Sequence, residues 1–306
     1  MRTVWAVAAA LVLSLAGCGL GVRDGGAAGS SPFDERASQV LAAWRSTPAG
    51  ESWTSGLIPL DPMDWVEGTE SIYRSGDGDE RGNAKIAIGS GWYRLDGRLP
   101  SDKPADTTVR FPHGGTLTVP VVTAAEAFAA IHRGDADASC TGAGCTLTVT
   151  GARLGTASIR TSRGSVEAPV WRFTVAELRV PVVRLAAGGP RVVALSEPAL
   201  EWDVRYGRVM AVVPTSKATE LTLIYEGGNC SDRANSFVHE EADAIVVGAR
   251  DIPKPGNCGG VGLTKTIAVT LAAPLGNRVL LDATSGMPLA LGDCHGVFPR
   301  AAITGC

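Results

Sequence analysis

The chain has 306 residues, a formal net charge of −3 at pH 7 and a charged fraction of 19%. That length buries a full core and favours two domains over one, while a near-neutral balance without a basic stripe argues against a nucleic-acid partner. With 38 glycines and 18 prolines, short strands joined by turns are favoured over long helices, so the expected fold class is mainly β with a few helices (α+β), built as two antiparallel-sheet domains.

Arg2 precedes an apolar run over residues 4–16, too short for a hydrocarbon core that needs ~20 residues. The run ends in Leu15-Ala16-Gly17-Cys18, which resembles the bacterial lipobox, where small residues precede a cysteine that takes a diacylglycerol thioether before cleavage. The resemblance implies a signal peptide over 1–17, lipidation of Cys18, and a mature chain held on the outer face of the cell membrane with the lipid bilayer as its first partner. Residues 18–32, with Gly19, Gly21, Gly25, Gly26 and Gly29, read as a flexible tether of roughly 20 Å typical reach.

Ala37, Val40, Leu41 and Trp44 recur at helical spacing, and Pro48 and Gly50 then stop the pattern; this predicts a helix over 33–47. Between residues 50 and 120 no period is sustained. Apolar pieces at 57–60, 85–88 and 117–119 among Gly, Asp and Pro clusters predict short strands and long loops. Asp77, Asp79 and Gly82 begin like a calcium loop, but Arg81 and Ile88 stand where ligands belong, so the stretch reads as an acidic turn. Thr123 and Glu126 form a capping box for a helix over 124–133, which Gly134 stops.

From Leu147 the period becomes two: Leu147 and Val149, Ala157 and Ile159, then Trp171, Phe173 and Val175, with turns expected at Gly151 and Gly164. A further strand is expected over 178–185. Ala186-Ala-Gly-Gly-Pro190 then separates an α+β domain, 33–187, from a β-rich, disulfide-braced domain, 188–306. The second domain is expected to carry strands near 202–206, 208–213, 220–225, 242–248, 266–271 and 278–282, with little helical signal.

Cys145-Thr-Leu-Thr-Val-Thr-Gly151, Thr161-Ser-Arg-Gly164, Pro169-Val-Trp-Arg-Phe-Thr-Val175 and Pro274-Leu-Gly-Asn-Arg-Val279 resemble pieces of uncharacterised cell-envelope lipoproteins of high-GC Gram-positive (actinobacterial) bacteria. The resemblance covers most of residues 50–300. It implies location and a β-rich fold, and its motifs assign no catalytic residue.

An even set of cysteines after Cys18 reads as disulfides in an exported protein. The favoured pairs are Cys140–Cys145 around Thr-Gly-Ala-Gly, Cys230–Cys258 in matching Gly-Asn-Cys loops, and Cys294–Cys306 across the tail. Histidines do not stand at zinc-ligand spacing around any pair. No nucleophile elbow, zinc-protease helix motif or P-loop is present, so no catalytic residue and no cofactor is expected.

The strongest polar cluster is His239, Glu241 and Asp243, which in an extended strand share one face and offer a metal one imidazole and two carboxylates. Alternation into the apolar run Ala244–Val247 predicts a solvated strand face or hairpin end instead, and no metal. His295, next to Cys294 and near Asp293, offers an acid–base pair but reads as structural in a disulfide-closed tail, and His113 and His132 are isolated. Trp53, Trp65, Tyr73, Trp92 and Tyr93 suit core packing or stacking on sugar rings.

The expected function is a non-enzymatic binding or envelope-organising module, its partners including a cell-wall glycan or an envelope protein. The alternatives are an extracytoplasmic hydrolase, metal-assisted through His239, Glu241 and Asp243, and an inhibitor that presents the 230–258 loop. Non-reducing peptide mapping checks the cysteine assignment. It should join Cys230 to Cys258, closing a loop worth roughly 3.5 kcal/mol in chain-entropy terms; a peptide joining Cys230 to Cys294 or Cys306 overturns the pairing.

Overall fold

The computed structural model describes residues 31–68, 72–74, 78–135, 139–256 and 259–292. Cys18, Cys258, Cys294, His295 and Cys306 lie outside them. The first half runs α1 (Pro32–Arg45), α2 (Pro48–Ser52), β1 (Asp64–Val66), α3 (Gly78–Ser90), β2 (Tyr93–Leu95), β3 (Thr107–Arg110), β4 (Thr116–Val119), α4 (Ala124–Ile131), β5 (Leu147–Thr161), β6 (Gly164–Val175) and β7 (Val182–Leu185). The described residues of the second half carry strands only: β8 (Val209–Pro214), β9 (Glu220–Gly228), β10 (Arg233–Glu240), β11 (Ala244–Ile252), β12 (Gly262–Thr270) and β13 (Val279–Asp282). The chain is thus mainly β with helices, as its composition predicts.

In the first half a sheet of order β1-β7-β6-β5-β2 is covered on one face by α3 and α4 and on the other by the β3–β4 hairpin. On β6, Trp171, Phe173 and Val175 face the helices, whereas Val166, Ala168 and Val170 face the hairpin. β5 changes faces part-way. Val149 stands opposite Val175 and Gly151 opposite Thr174, leaving Thr150 as an extra residue. Leu147 and Val149 therefore join the helix-side core, while Ala157 and Ile159, of the same parity, pack on the hairpin side; one inserted residue is enough to exchange the faces of a period-two strand. Gly151 marks this bulge and not the expected turn. Gly164, at φ +94°, does turn the chain.

The second half stacks β12-β9-β8 on β10-β11-β13 through Leu223, Tyr225, Ile245, Val247 and Leu280. The outer face of the second sheet, with Ala244, Val246 and Leu281, receives Ala37, Val40, Leu41 and Trp44 of α1. Burial of β11 on both faces explains its unbroken apolar run. By packing, α1 belongs with the C-terminal strands, although its chain position groups it with residues 33–187. Ser31 starts this helix: its hydroxyl accepts the Asp34 N–H at 3.1 Å, and the Asp34 carboxylate takes the Ser31 N–H at 3.3 Å.

Other sequence expectations need correction. Residues 78–90 form α3, not a turn followed by a short strand; its buried face is built from Ala84, Ala87 and Ser90, and such small residues give little periodic signal. Residues 202–206 form no strand, and Trp202 there is exposed. β10, paired along its length with β11, went unpredicted because its faces are only partly buried.

A buried polar knot fastens α1. Arg36 Nε donates to Ala283 O and Nη2 to Thr284 O, both at 2.7 Å, with Asp203 at 3.9 Å. Beside it Asp282 accepts the Val209 N–H at 3.1 Å, the Ser285 N–H at 3.0 Å and the Ser285 hydroxyl at 2.7 Å. Burial pushes the Asp282 carboxyl up and the Arg36 guanidinium down. Arg36→Ala would leave Ala283 O without its donor and take one of two donors from Thr284 O, whose other is the Asp203 N–H at 3.1 Å, while Asp203 keeps Arg205; it should cost about 1–3 kcal/mol. Urea unfolding measures this; a loss below about 1 kcal/mol would show that the knot does not hold the helix.

Candidate functional site

The tip of the β5–β6 hairpin reaches across to the second half. Pro59 bridges Thr161, the Ser162 N–H donates to Ile58 O at 3.0 Å, and the Ser162 hydroxyl donates to Trp53 O at 2.8 Å. Facing this tip is the loop at 275–278 that leads into β13. Between them lies a cleft of about 530 Å³, within the ~300–1,000 Å³ range of small-molecule sites.

Its polar lining includes Arg160, Arg163 and Arg278 beside His113 and several hydroxyls, and its apolar lining includes Leu60, Leu275 and Leu291. Two of the arginines are spoken for. Arg160 forms a two-nitrogen pair with Asp61, which raises the Arg160 pKa above the ordinary guanidinium value. Arg278 Nη1 donates to Glu240 Oε2 at 2.7 Å, and its other nitrogens donate to Leu275, Ala273 and Pro274 carbonyls. Burial pushes the Glu240 carboxyl up, but the Ala272 N–H and Arg278 more than reverse this, leaving it below the ordinary value.

Arg163 is different. Its guanidinium carbon sits 3.6 Å from the centroid of the buried Phe111 ring, and among the described residues no carboxylate lies within 4.0 Å of it. The turn that carries it is locked. The Thr161 hydroxyl donates to Gly164 O at 2.6 Å and accepts the Arg163 N–H at 3.1 Å. A Cβ at Gly164 would come within 2.6 Å of Pro112, so the hairpin tip and the β3–β4 turn fit only with glycine there.

The sequence-predicted residues fall elsewhere. His239 ends β10, and Glu241 and Asp243 occupy the turn into β11. His239 Nδ1 meets Asp34 Oδ1 at 3.0 Å, while Arg45 Nη2 takes Glu241 and Asp243 at 2.6 Å each. The cluster is a clasp between α1 and a hairpin end. Among the described residues no group of three or more His, Cys, Asp or Glu is arranged to hold a metal ion. Cys140 and Cys145 are bonded, with Cα atoms 5.7 Å apart, and Asn83 Nδ2 ties their loop to α3 through Thr141 O and Ala143 O.

Cys230 is disulfide-bonded, to a partner outside the described residues. His113 lines the cleft, and His132 stacks on Phe128 at 5.7 Å. Trp65, Tyr73, Trp92 and Tyr93 pack into cores, whereas Trp53 both packs on Trp44 and lines the cleft. Sequence reasoning passed over Arg160, Arg163 and Arg278. The available signal was an arginine beside glycine in Ser162-Arg163-Gly164 and near it in Gly276-Asn277-Arg278.

No protein-family model matches the chain, nor does any curated protein or solved structure.

The clasp makes a signed prediction. The Arg45 bond holds the Asp243 carboxyl below its ordinary value, and the Ser31 and His239 bonds do the same for Asp34. Depressed carboxylates add stability above their unfolded pKa near 3.8 and lose it as pH falls through the folded value. Because the groups are half exposed, Arg45→Ala and His239→Ala should each cost under about 1 kcal/mol at pH 7. The Arg45→Ala difference should shrink as pH falls below 3.8 and on through the depressed folded value of Asp243. Urea midpoints at pH 7 and in acid check this, and a difference that grew in acid would contradict it.

Proposed function

We propose that this protein is a lipid-anchored extracytoplasmic binding module, held on the outer membrane face by acylated Cys18 and taking its ligand in the cleft between its halves. The cleft carries the reading. It brings arginines and leucines into one lining, and the Thr161 and Ser162 hydroxyls there donate to the carbonyls of Gly164 and Trp53. Such hydroxyls are engaged in the fold and are not paired with a base as nucleophiles are.

The Leu15-Ala16-Gly17-Cys18 junction supports the anchor, and the Cys140–Cys145 disulfide supports an oxidising compartment. No helix among the described residues is long and apolar enough to cross a membrane. The similarity of several segments to actinobacterial envelope lipoproteins points the same way, toward a ligand from the cell wall or the membrane around it.

Two measurements test the halves of this reading. In detergent phase partitioning the wild-type chain should enter the detergent phase and Cys18→Ala should stay aqueous; a wild-type chain found wholly in the aqueous phase removes the anchor. Native mass spectrometry of protein extracted gently from its own envelope should show an added small-molecule mass. Leu291→Trp, which fills the cleft at a half-exposed position, should lack that mass. Identical ligand-free masses for the two would remove the binding role.

A further inference from the structure

We infer that the cleft recognises an amphiphile with a single anionic head, a carboxylate or phosphate on an apolar body, and that Arg163 is the cation that selects it. The inference rests on the binding reading of the same cleft and names its ligand class. Three observations carry it.

The first is charge. Three arginines line the cleft, and Asp61 and Glu240 answer two of them. Arg163 is left as a positive charge without a carboxylate among the described residues. A guanidinium presents a planar fork of donors that matches carboxylate and phosphate oxygens in a two-point contact.

The second is preparation. Phe111 stacks under the guanidinium at 3.6 Å and occupies its face, so its N–H edge is what remains to meet a ligand. The Thr161 hydroxyl and the glycine at 164 fix the backbone of the same turn. Little conformational freedom is then lost on binding, which favours affinity.

The third is the apolar lining. Leu60, Leu275 and Leu291 line the cleft while remaining partly or well exposed to solvent, Leu291 at 45%. Covering such apolar surface with a ligand is favourable. A small inorganic anion would leave it wet, and a neutral apolar ligand would leave Arg163 facing it without a counter-charge; one molecule with both parts satisfies both.

The test uses the full-length Cys18→Ala chain, which carries no lipid of its own, and soluble short-chain probes followed by ligand-detected NMR titration. Hexyl phosphate and hexanoate should bind, with hexyl glucoside and inorganic phosphate each at least about tenfold weaker, a difference of about 1.4 kcal/mol. Arg163→Gln should bring hexyl phosphate down to the level of the glucoside. Arg163→Lys, which keeps the charge on the same turn and controls for folding, should fall between.

Hexyl glucoside binding as tightly as hexyl phosphate, or an Arg163→Gln chain that binds normally, overturns the anionic head while leaving a binding module in place. Inorganic phosphate binding as tightly as hexyl phosphate overturns the apolar body and identifies a free-phosphate site. No binding by any probe, in a chain whose extracted form still carries a ligand mass, overturns the ligand class without touching the proposed function.

Discussion

Two consecutive residues, Leu57 and Ile58, tie the molecule together. Both are fully buried, and they enter different cores: Leu57 packs with Phe111, Val166 and Leu185 on the hairpin side of the five-stranded sheet, and Ile58 with α1 and the strands of the second half. An extended chain points successive side chains in opposite directions, so one strand-like segment can serve two cores only if they lie on either side of it. Each side chain is worth about 1.5–3 kcal/mol of burial. The backbone is committed as well, since the Leu57 N–H donates to Arg191 O at 2.8 Å and the Val193 N–H to Leu57 O at 3.1 Å. The hairpin tip is consequently pinned beside the second half, and the cleft is the space left where the two surfaces meet without filling it.

The same segment explains why α1 lies where it does. Helix, two-turn connector and extended stretch follow one another without slack, so a chain that places Ile58 in the second core delivers α1 to the outer face of β11 and β13. There the helix meets a polar problem, because the turn after β13 exposes carbonyls at Ala283 and Thr284 toward the interface. Arg36 answers both. Asp282 answers the N–H groups on the other side of that turn, at a cost that has a sign: its carboxyl is raised by burial, so its contribution weakens the fold as pH climbs from the unfolded value near 3.8 toward the raised one. The exposed clasp of Arg45 with Asp243 works in the opposite direction and over a lower interval, adding stability as pH rises from the depressed folded value toward 3.8 and holding it above that.

What could be read from sequence was what is periodic and local. α1 announced itself through spacing, α4 through its capping box, and β5 and β6 through alternation, because in each the pattern is written by neighbours in the chain. α3 was hidden by glycines at 78, 82 and 89 and by a buried face of alanines, which pack closely but carry no hydrophobic contrast. β10 was hidden because a partly solvated outer strand needs no strict pattern. The partner of α1 was hidden for a different reason: an amphipathic helix shows that it has an apolar face and says nothing about which sheet, two hundred residues away or next door, will receive it. His239, Glu241 and Asp243 read as a solvated strand face or hairpin end, and what the local pattern did not name was their partners, Asp34 and Arg45 of a helix some two hundred residues away.

The cleft shows the same limit in its sharpest form. Nothing in Ser162-Arg163-Gly164 distinguishes Arg163 from an arginine on any exposed turn. Its character comes from Phe111 in another hairpin, and from the fact that among the described residues acids answer Arg160 and Arg278 but none lies within 4.0 Å of Arg163. Stability does not explain such a cation at a partly apolar cleft, since stacking a guanidinium on an aromatic ring gains only about 0.5–2 kcal/mol and a carboxylate nearby would have added to that. Folding alone would be served as well or better by neutralising the third arginine along with the other two. The arrangement becomes economical when a negative charge arrives with a ligand, for then the desolvation of Arg163 is offset at the moment of binding and the leucines of the cleft are covered in the same step.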